Sequence, residues 1–229
     1  MPEQTPRTLN HFSFFQFQEP HAQLSPNERK QFHNEWLSGL HQAAQHTDVY
    51  QVYPAESRAD ILVWSALEAD DPEAPARFME KFACATNPYR NLLYPVDVLW
   101  GMTRPSQYTK TRSAQEIDPF AEKRQPYLVM YPFVKTVDWY LMSRDARQGM
   151  MNEHIRIGKQ YPEITQLLLY SFGLQDQEFI VVYEMADLTQ FSDLVYVLRD
   201  SEARRYTERD TPLYTGFYHP AEQTLALWD

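Results

Sequence analysis

Hydrophobic and polar residues alternate along several short stretches of the chain, and longer stretches between them repeat apolar residues every three or four positions. Alternation is typical of half-buried strands, and the wider spacing is typical of amphipathic helices. The alternation predicts strands near residues 11–19, 49–53, 59–67, 96–103, 126–134, 164–172, 178–185 and 212–218. The wider spacing predicts helices after Ser25, over residues 75–86, from Ser143 to about Arg156, and over residues 188–200.

These elements follow the order strand, helix, strand, strand, helix, strand, and the same order appears twice along the chain. Such a βαββαβ unit is ferredoxin-like, with two helices packed on an antiparallel sheet. We therefore predict an α+β protein with an N-terminal half over 1–103, a connecting segment over 104–126 and a C-terminal half over 127–229. The sheet faces opposite the helices must then pack against each other or against another subunit.

The charge of the chain is −10, from 21 Lys and Arg against 31 Asp and Glu. Nucleic acids and anionic membranes both attract basic surfaces, so neither is an expected partner. Cys84 is the single cysteine, which excludes an intrachain disulfide and a cysteine-rich metal site. The N-terminal sequence MPEQTPRTLN has no apolar leader core, and no stretch reaches the ~20 apolar residues of a membrane span. We therefore expect a cytoplasmic protein.

The stretch MMNEHIRIGKQYPEITQ, residues 150–166, places a histidine on the apolar face of a predicted helix. His154 follows Met150 by four residues and precedes Ile157 by three, so these side chains share a face that points inward. One interpretation is a core histidine that is hydrogen-bonded to the backbone. No pair of histidines has a zinc-binding spacing. A single inward imidazole can still ligate a metal that arrives with its other ligands, as haem iron does.

Several motifs, in their order and spacing, are similar to those of one protein family. They are YPFVK, DWYLMS, MMNEHIRIGKQYPEITQ, YSFGLQDQEF and LVYVLRDSEARRY, preceded in the first half by ADILVW and TRPSQY. Together they resemble the chlorite dismutase and coproheme decarboxylase family of haem proteins. The resemblance implies two ferredoxin-like halves that form an α+β barrel subunit, and a ring of subunits that is commonly a homopentamer. It also implies an iron porphyrin, haem b or coproheme, as the bound group.

The resemblance assigns roles on both sides of the porphyrin. His154 matches the proximal ligand of the haem iron, and Glu202 falls near the carboxylate that accepts a hydrogen bond from the other nitrogen of that ligand. Gln166 stands where chlorite-splitting members carry an arginine, whose fixed charge holds anionic chlorite. Decarboxylating members of one bacterial branch carry glutamine there. Gln166 therefore favours coproheme decarboxylation over chlorite dismutation.

The same resemblance implies catalytic residues on one predicted strand. Tyr131 matches a tyrosine that passes oxidation from the peroxide-treated iron to a propionate of coproheme, whose carboxyl then leaves as carbon dioxide. Lys135 matches a lysine at the reacting propionate, where a cation holds the carboxylate or supplies a proton. Porphyrin or propionate contacts are implied for Arg199, Arg205, Trp139, Tyr140 and Leu141. Without the resemblance, these residues would be interpreted as core or solvated side chains.

Departures from the family pattern leave other functions open. The interval from Tyr131 to Trp139 has the shorter length of chlorite-splitting relatives, and a serine expected between Glu202 and Tyr206 is absent. The arginine expected before the Tyr131 strand has only Arg124 as a counterpart. We predict hydrogen peroxide-dependent decarboxylation of coproheme to haem b. The alternatives are a haem carrier or sensor, a chlorite dismutase, and a ferredoxin-like oligomer without a cofactor.

Overall fold

The computed structural model describes residues 7–108 and 113–229. The strands are β1 (Thr8–Phe17), β2 (His46–Gln51), β3 (Ile61–Glu68), β4 (Leu93–Met102), β5 (Tyr127–Lys135), β6 (Thr165–Tyr170), β7 (Phe179–Met185), β8 (Thr207–Arg209) and β9 (Tyr214–Tyr218). The α-helices are α1 (Glu19–Gln23), α2 (Pro26–Ala43), α3 (Ala74–Thr86), α4 (Val137–Leu141), α5 (Arg144–Gly158), α6 (Leu188–Arg199) and α7 (Ala221–Leu225). Short 3₁₀ helices cover Asn87–Tyr89, Glu202–Tyr206 and Ala226–Trp228.

Two parts of the sequence predictions concern residues outside the described ranges. The first six residues, which belong to the predicted N-terminal half and to the stretch without a leader core, lie outside the described residues. Residues 109–112 of the predicted connecting segment also lie outside them. Within the described ranges, no helix is both long and apolar enough to cross a bilayer.

The two halves of the chain have the same strand order and join into a closed barrel. The first half is ordered β4-β1-β3-β2, and the second is ordered β9-β5-β7-β6. Each order is that of a βαββαβ unit, so the predicted α+β fold with two repeats is confirmed. The halves join where Tyr50 of β2 pairs with Tyr218 of β9 and where Met102 of β4 pairs with Tyr170 of β6. These junctions pair the outer strands of both sheets.

Alternation along the strands divides the buried side chains between the barrel interior and the helix-covered outside. On β5, Leu128 and Met130 lie in the interior cluster, whereas Val129 lies in the cluster under α5 and α6. The first half repeats this division, because Phe14 faces the interior and Phe15 packs with the helix residue Trp36. The sheet faces opposite the helices therefore pack against each other inside one subunit, which was the first of the two predicted options.

Side-chain caps begin the two helices that the sequence predicted to start at serines. Ser25 and Glu28 form a reciprocal capping box at α2, with Ser25 N–H donating to Glu28 Oε2 at 2.8 Å. Ser143 Oγ accepts the Ala146 N–H at 3.3 Å at the start of α5. Such caps satisfy backbone N–H groups that have no partner within the helix. The helix α5 continues to Gly158, two residues beyond the predicted end.

The Ser25 cap gives a stability prediction. The variant Ser25→Ala is expected to lower the free energy of unfolding by about 1 kcal/mol. The thermal midpoint of a domain of this size should then fall by about 2–4 °C. Ser38→Ala is the control, because Ser38 lies exposed inside the same helix, where alanine is the better helix former. Equal midpoints for Ser25→Ala and the parent protein would contradict the capping role.

Candidate functional site

The outer face of the second sheet presents rows of side chains toward α5 and α6. Strand pairing aligns Gln166 with Tyr183 and Val129, Leu168 with Val181 and Tyr131, and Tyr170 with Phe179 and Phe133. Directly paired residues point to the same face of a sheet. Val181 and Tyr183 are buried, whereas Gln166 and Leu168 on β6 are exposed. The outer face therefore has a floor, formed by β5 and β7, that the helices cover, whereas the side chains of Gln166 and Leu168 on β6 are exposed.

His154 lies on α5, one of the helices that cover this floor. Ile157, one turn later, belongs to the same buried cluster as Tyr131 and Phe133, so this side of α5 faces β5. Burial, with the nearby Lys135 cation, lowers the pKa of His154 to about 4. The imidazole is therefore neutral at pH 7.

The His154 imidazole also differs from a core histidine that is bonded to the backbone. Among the described residues, neither of its ring nitrogens has a hydrogen-bond partner. The iron of a porphyrin commonly binds a neutral histidine imidazole as its protein ligand. A mostly buried imidazole without a hydrogen-bond partner is suited to that role. The exposed apolar side chains of Leu168 and Phe172 on the same half of the barrel add surface that suits a flat apolar ring.

Lys135 lies at the end of β5, on the side that faces the helices. Its ammonium donates hydrogen bonds to Thr207 Oγ1 at 3.1 Å and Ala203 O at 3.4 Å, and lies 4.7 Å from the Trp139 ring centre. Burial, with the Arg204 cation nearby, lowers the pKa of Lys135 to about 8. The amine is therefore mainly charged at pH 7 but releases its proton more easily than a solvated lysine. Both holding a carboxylate and supplying a proton require such a group.

Tyr131 stands near the centre of the floor. Its ring centre lies 6.2 Å from that of Tyr183, its diagonal neighbour on β7. Burial raises the pKa of both phenols, so both keep their hydrogens at neutral pH. Asp210, Arg199 and Arg204 are close enough to Tyr131 to act on its phenol electrostatically. The floor thus combines the un-ionised phenol of Tyr131 with three charged side chains beside it.

Two of these three charged side chains are arginines that converge on the third, a carboxylate. Arg199 Nη1 lies 2.8 Å and Arg204 Nη1 lies 2.7 Å from Asp210 Oδ2. The structure thus places the predicted Arg199 at the site and adds Arg204, which sequence reasoning missed. Arg205 lies farther out, since its Nε pairs with Glu202 at 3.2 Å and 75% of its side chain is exposed.

Glu202 approaches His154 through a neighbouring residue. The Glu202 backbone N–H donates to Glu153 Oε2 at 3.3 Å, and Glu153 directly precedes His154 on α5. The Glu202 carboxylate pairs with Arg205 and is 62% exposed. The carboxylate is therefore near the helix of the candidate ligand but bonded elsewhere, and its partnership with His154 stays a prediction.

The predicted aromatic pair lies on α4, directly after β5. Trp139 is buried, while Tyr140 is partly exposed and its hydroxyl donates to Glu178. Leu141 is 79% exposed, so it contributes an apolar surface to solvent. The Glu178 carboxylate also accepts the Lys135 backbone N–H at 2.8 Å, which ties α4 to the end of β5. Sequence reasoning missed Glu178. The only sequence indication was its position directly before β7, next to the turn that joins β6 to β7.

Gln166 lies on the same sheet face as Tyr131, two strands away. Its side chain is exposed, and its backbone pairs with the connecting segment: Gln166 N–H donates to Gln115 O at 2.7 Å, and Ile117 N–H donates to Gln166 O at 3.0 Å. The exposed amide can thus face a group that is bound over the exposed side chains of β6. The structure therefore brings Tyr131, His154 and Gln166 to one side of the sheet.

The lowered pKa of Lys135 gives a prediction about pH. Because this pKa is about 8 in the folded protein and 10.5 as its ordinary value, the folded state loses this proton first as pH rises. The unfolded state then binds more protons, so stability rises between these two values. Relative to Lys135→Met, the free energy of unfolding of the parent protein should increase by about 1–2 kcal/mol between about pH 7 and pH 10. Parallel pH profiles for the two proteins in urea denaturation would contradict the burial of the charged amine.

Comparisons with known proteins identify the family of this chain. The profile of the family described as chlorite dismutase matches residues 27–219. A coproheme decarboxylase of Mycolicibacterium smegmatis is 30% identical over 180 residues, which cover 78% of this chain and 75% of that protein. A coproheme decarboxylase of Staphylococcus saprophyticus is 29% identical over 161 residues, which cover 65% of this chain and 64% of that protein.

The solved structures extend the likeness to nearly the whole chain. The chlorite dismutase of Candidatus Nitrospira defluvii in complex with imidazole has a TM-score of 0.82 at 20% identity. The superposition covers 96% of this chain and 94% of that chain. This likeness concerns the fold, whereas the profile covers every predicted site residue from Tyr131 to Arg205. The chain therefore belongs to the chlorite dismutase family.

Proposed function

We propose that this protein binds an iron porphyrin between the outer face of its second sheet and α5, and that it decarboxylates coproheme to haem b with hydrogen peroxide. The observation that carries the proposal is the position of His154 on α5, the helix that packs over the cluster containing Tyr131, with the Lys135 cation close enough to act on the imidazole electrostatically. Membership in a family of haem proteins supports the porphyrin. The two relatives named coproheme decarboxylase support the reaction.

In this proposal His154 holds the iron. A pKa of about 4 keeps its imidazole neutral at pH 7, so one ring nitrogen carries no proton and has the lone pair that ligation requires. Glu202 and the neighbouring Glu153 would orient the ring through its second nitrogen. The bound iron porphyrin would supply the redox chemistry that peroxide drives. The protein groups would position the propionates and handle their protons.

Each carboxyl removal would convert one propionate into a vinyl group. The propionate loses carbon dioxide and a hydrogen from its β-carbon, and one hydrogen peroxide is reduced to two waters. Tyr131 would act as the relay that takes up this hydrogen, since its raised pKa keeps the phenol un-ionised until it is oxidised. Lys135 would hold the reacting carboxylate, because it is mainly a cation at pH 7 and lies at the end of the strand that carries Tyr131.

The remaining predicted residues would bind the porphyrin periphery. Arg199 and Arg204 share the single carboxylate of Asp210 beside Tyr131, so the three groups together carry one positive charge, and Arg205 lies farther out, paired with Glu202. We propose that these cations bind the propionates that are not reacting. Trp139, Tyr140 and Leu141 on α4 would contact the ring, with Leu141 covered only when the porphyrin is bound.

Gln166 supports decarboxylation over chlorite dismutation. Its amide is exposed on β6. Because the amide is neutral, it cannot supply the fixed charge that holds anionic chlorite. A neutral amide is compatible with peroxide, which is itself neutral. The exposure of Gln166, on the same sheet face as Tyr131, supports the proposal that its amide faces a small oxidant.

The proposal is tested by giving the purified protein each substrate in turn. With coproheme and peroxide, we expect the porphyrin to lose two carboxyl groups in sequence, as followed by chromatography and mass spectrometry. With haem and chlorite, we expect no dioxygen at an oxygen electrode. Tight porphyrin binding without loss of mass would indicate a carrier or sensor instead. Dioxygen from chlorite would indicate a dismutase, and no binding would remove the porphyrin from the account.

The assembly is a separate proposal. Family resemblance supports a ring of identical subunits, commonly five, and we propose that this ring is cytoplasmic. Light scattering coupled to gel filtration would then give a mass five times that of one chain. A monomer mass at micromolar concentration would contradict the ring.

A further inference from the structure

A buried arginine anchors the connecting segment between the two halves near the C-terminal end of that segment. Arg124 Nε donates to Asp48 Oδ2 at 2.7 Å, and only 1% of the arginine side chain is exposed. Its two terminal nitrogens donate to the carbonyl oxygens of Asp118 and Pro119 at 2.9 and 2.7 Å. The guanidinium therefore holds the segment in a turn against the barrel.

The middle of this segment pairs with the barrel wall and places one side chain in the barrel interior. Ile117 is 4% exposed and belongs to the interior cluster, together with Leu167 and Leu169 of β6. Its N–H and the Gln115 carbonyl bond to both backbone groups of Gln166, as described above. Glu116 and Gln166 thus form a parallel bridge. The segment from residue 113 to Arg124 is consequently a fixed part of the barrel wall next to Gln166.

One side chain of the segment reaches the end of the helix that carries His154. Gln115 Nε2 lies 3.4 Å from the carbonyl oxygen of Gly158, 2.9 Å from that of Tyr161 and 3.0 Å from that of Ile164. Two of these carbonyls also accept a backbone N–H, Gly158 O from Tyr161 at 3.0 Å and Tyr161 O from Ile164 at 3.1 Å, so the Gln115 amide adds a further donor to the turn that leads from α5 into β6. Gly158 lies four residues after His154, which places it on the same stripe of α5.

The first part of α5 is tied to the connecting segment as well. Gln148 Nε2 donates to the Tyr108 carbonyl at 3.2 Å. The helix of His154 is therefore bonded to the same segment on both sides of the histidine. Gln115 differs from Gln148 because its backbone also pairs with β6.

We infer that Gln115 is a positioning residue that sets the distance between the His154 imidazole on α5 and the Gln166 amide on β6. Its side chain fixes the helix end, and its carbonyl oxygen fixes the strand, so one residue connects the two groups. The inference rests on the proposed function, in which a porphyrin lies between these groups. Its consequence is that Gln115 controls the geometry of the iron–imidazole bond without touching the porphyrin.

The test compares Gln115→Ala with a matched control, Gln160→Ala. Gln160 is exposed in the same turn and its side chain has no hydrogen bond within the described residues. Hydrogen exchange in the protein without porphyrin should become about tenfold faster over residues 157–165 in Gln115→Ala and stay unchanged in the control. In the ferrous haem-loaded protein, the iron–histidine stretching frequency should shift in Gln115→Ala and stay unchanged in Gln160→Ala.

Two further variants separate hydrogen bonding from shape. Gln115→Glu keeps the shape but replaces the donor with a carboxylate that cannot donate, so it should show at least the effect of alanine. Gln115→Lys restores a donor at a helix C-terminus, where a cation is favourable, and should return the exchange rate and the frequency toward the parent values. Recovery in lysine together with loss in glutamate would assign the effect to donation rather than to folding.

Distinct outcomes overturn the inference and the proposed function. If the parent protein shows a histidine-bound iron and Gln115→Ala has the same frequency, the positioning role is wrong and the proposed function is unaffected. Faster exchange without a change in frequency would likewise reduce Gln115 to a structural contact and overturn the inference. If the parent protein itself shows no histidine-bound iron, the proposed function fails and the inference fails with it.

Discussion

His154→Ala is expected to lose the iron–imidazole bond and to weaken the binding of ferric coproheme at least about 100-fold. The reason is that His154 presents a neutral imidazole without a hydrogen-bond partner among the described residues, in a mostly buried position facing β5. An absorption titration of the purified variant with coproheme measures this affinity. The porphyrin band of the parent protein should survive gel filtration, and that of the variant should not.

His41→Ala is the matched control for this variant. His41 is exposed on α2 in the first half of the chain, far along the sequence from the candidate site. The control should bind coproheme as the parent does. Added imidazole should restore the spectrum of His154→Ala, because it replaces the missing side chain as ligand. Equal affinities of His154→Ala and the parent protein would contradict ligation by His154.

Tyr131→Phe is expected to bind coproheme normally but to decarboxylate it about 100-fold or more slowly. Phenylalanine keeps the packing with Tyr183 and Phe133 but has no hydroxyl hydrogen to exchange with the propionate. Rapid mixing of the loaded protein with peroxide, followed by mass analysis of the porphyrin, measures the rate. The iron–histidine signal should be unchanged, which would separate loss of the relay from loss of the site.

Tyr196→Phe is the control for this substitution. Tyr196 is 76% exposed on α6, so removal of its hydroxyl should leave the rate unchanged. Equal rates for Tyr131→Phe and the parent protein would remove Tyr131 from the reaction. In that case Tyr183→Phe should be measured next, because Tyr183 is the buried phenol nearest to Tyr131.

Long elements with a clear period could be predicted from the sequence. The alternation in PYLVMYPFV correctly predicted the strand β5, because every second side chain of a strand points the same way. Ser143 correctly predicted the start of α5, since a serine that precedes a helix can satisfy its free N–H groups.

Short elements could not be predicted in the same way. The helix α4 has five residues and β8 has three, which is too short for a period to appear. Closure of the barrel was implied by the family resemblance but not by the residue patterns, because the β4–β6 junction has a single aligned pair, Met102 with Tyr170. Nothing in the local pattern of either strand identifies such a distant partner.

Contacts between remote residues limited the prediction of the site. Arg204 was missed because it adjoins the predicted Arg205 in sequence, while Asp210, the carboxylate that orients it, lies in a later loop. Gln115 was missed because its partners are backbone carbonyls, which every residue possesses and which no sequence pattern marks. The roles of Glu202 and Leu141, like those of the other predicted site residues, came from family resemblance, and both of these side chains are exposed in the structure.

The most direct test of the central claim is a stoichiometric titration of the coproheme-loaded protein with hydrogen peroxide. Each carboxyl removal consumes one peroxide, so the first equivalent should yield mainly a porphyrin with three carboxylates, and the second should convert it to haem b. Mass spectrometry of the extracted porphyrin counts the carboxyl groups at each step. Stepwise loss of two carbon dioxides would support the decarboxylase. A porphyrin that keeps all four carboxylates after excess peroxide would contradict it.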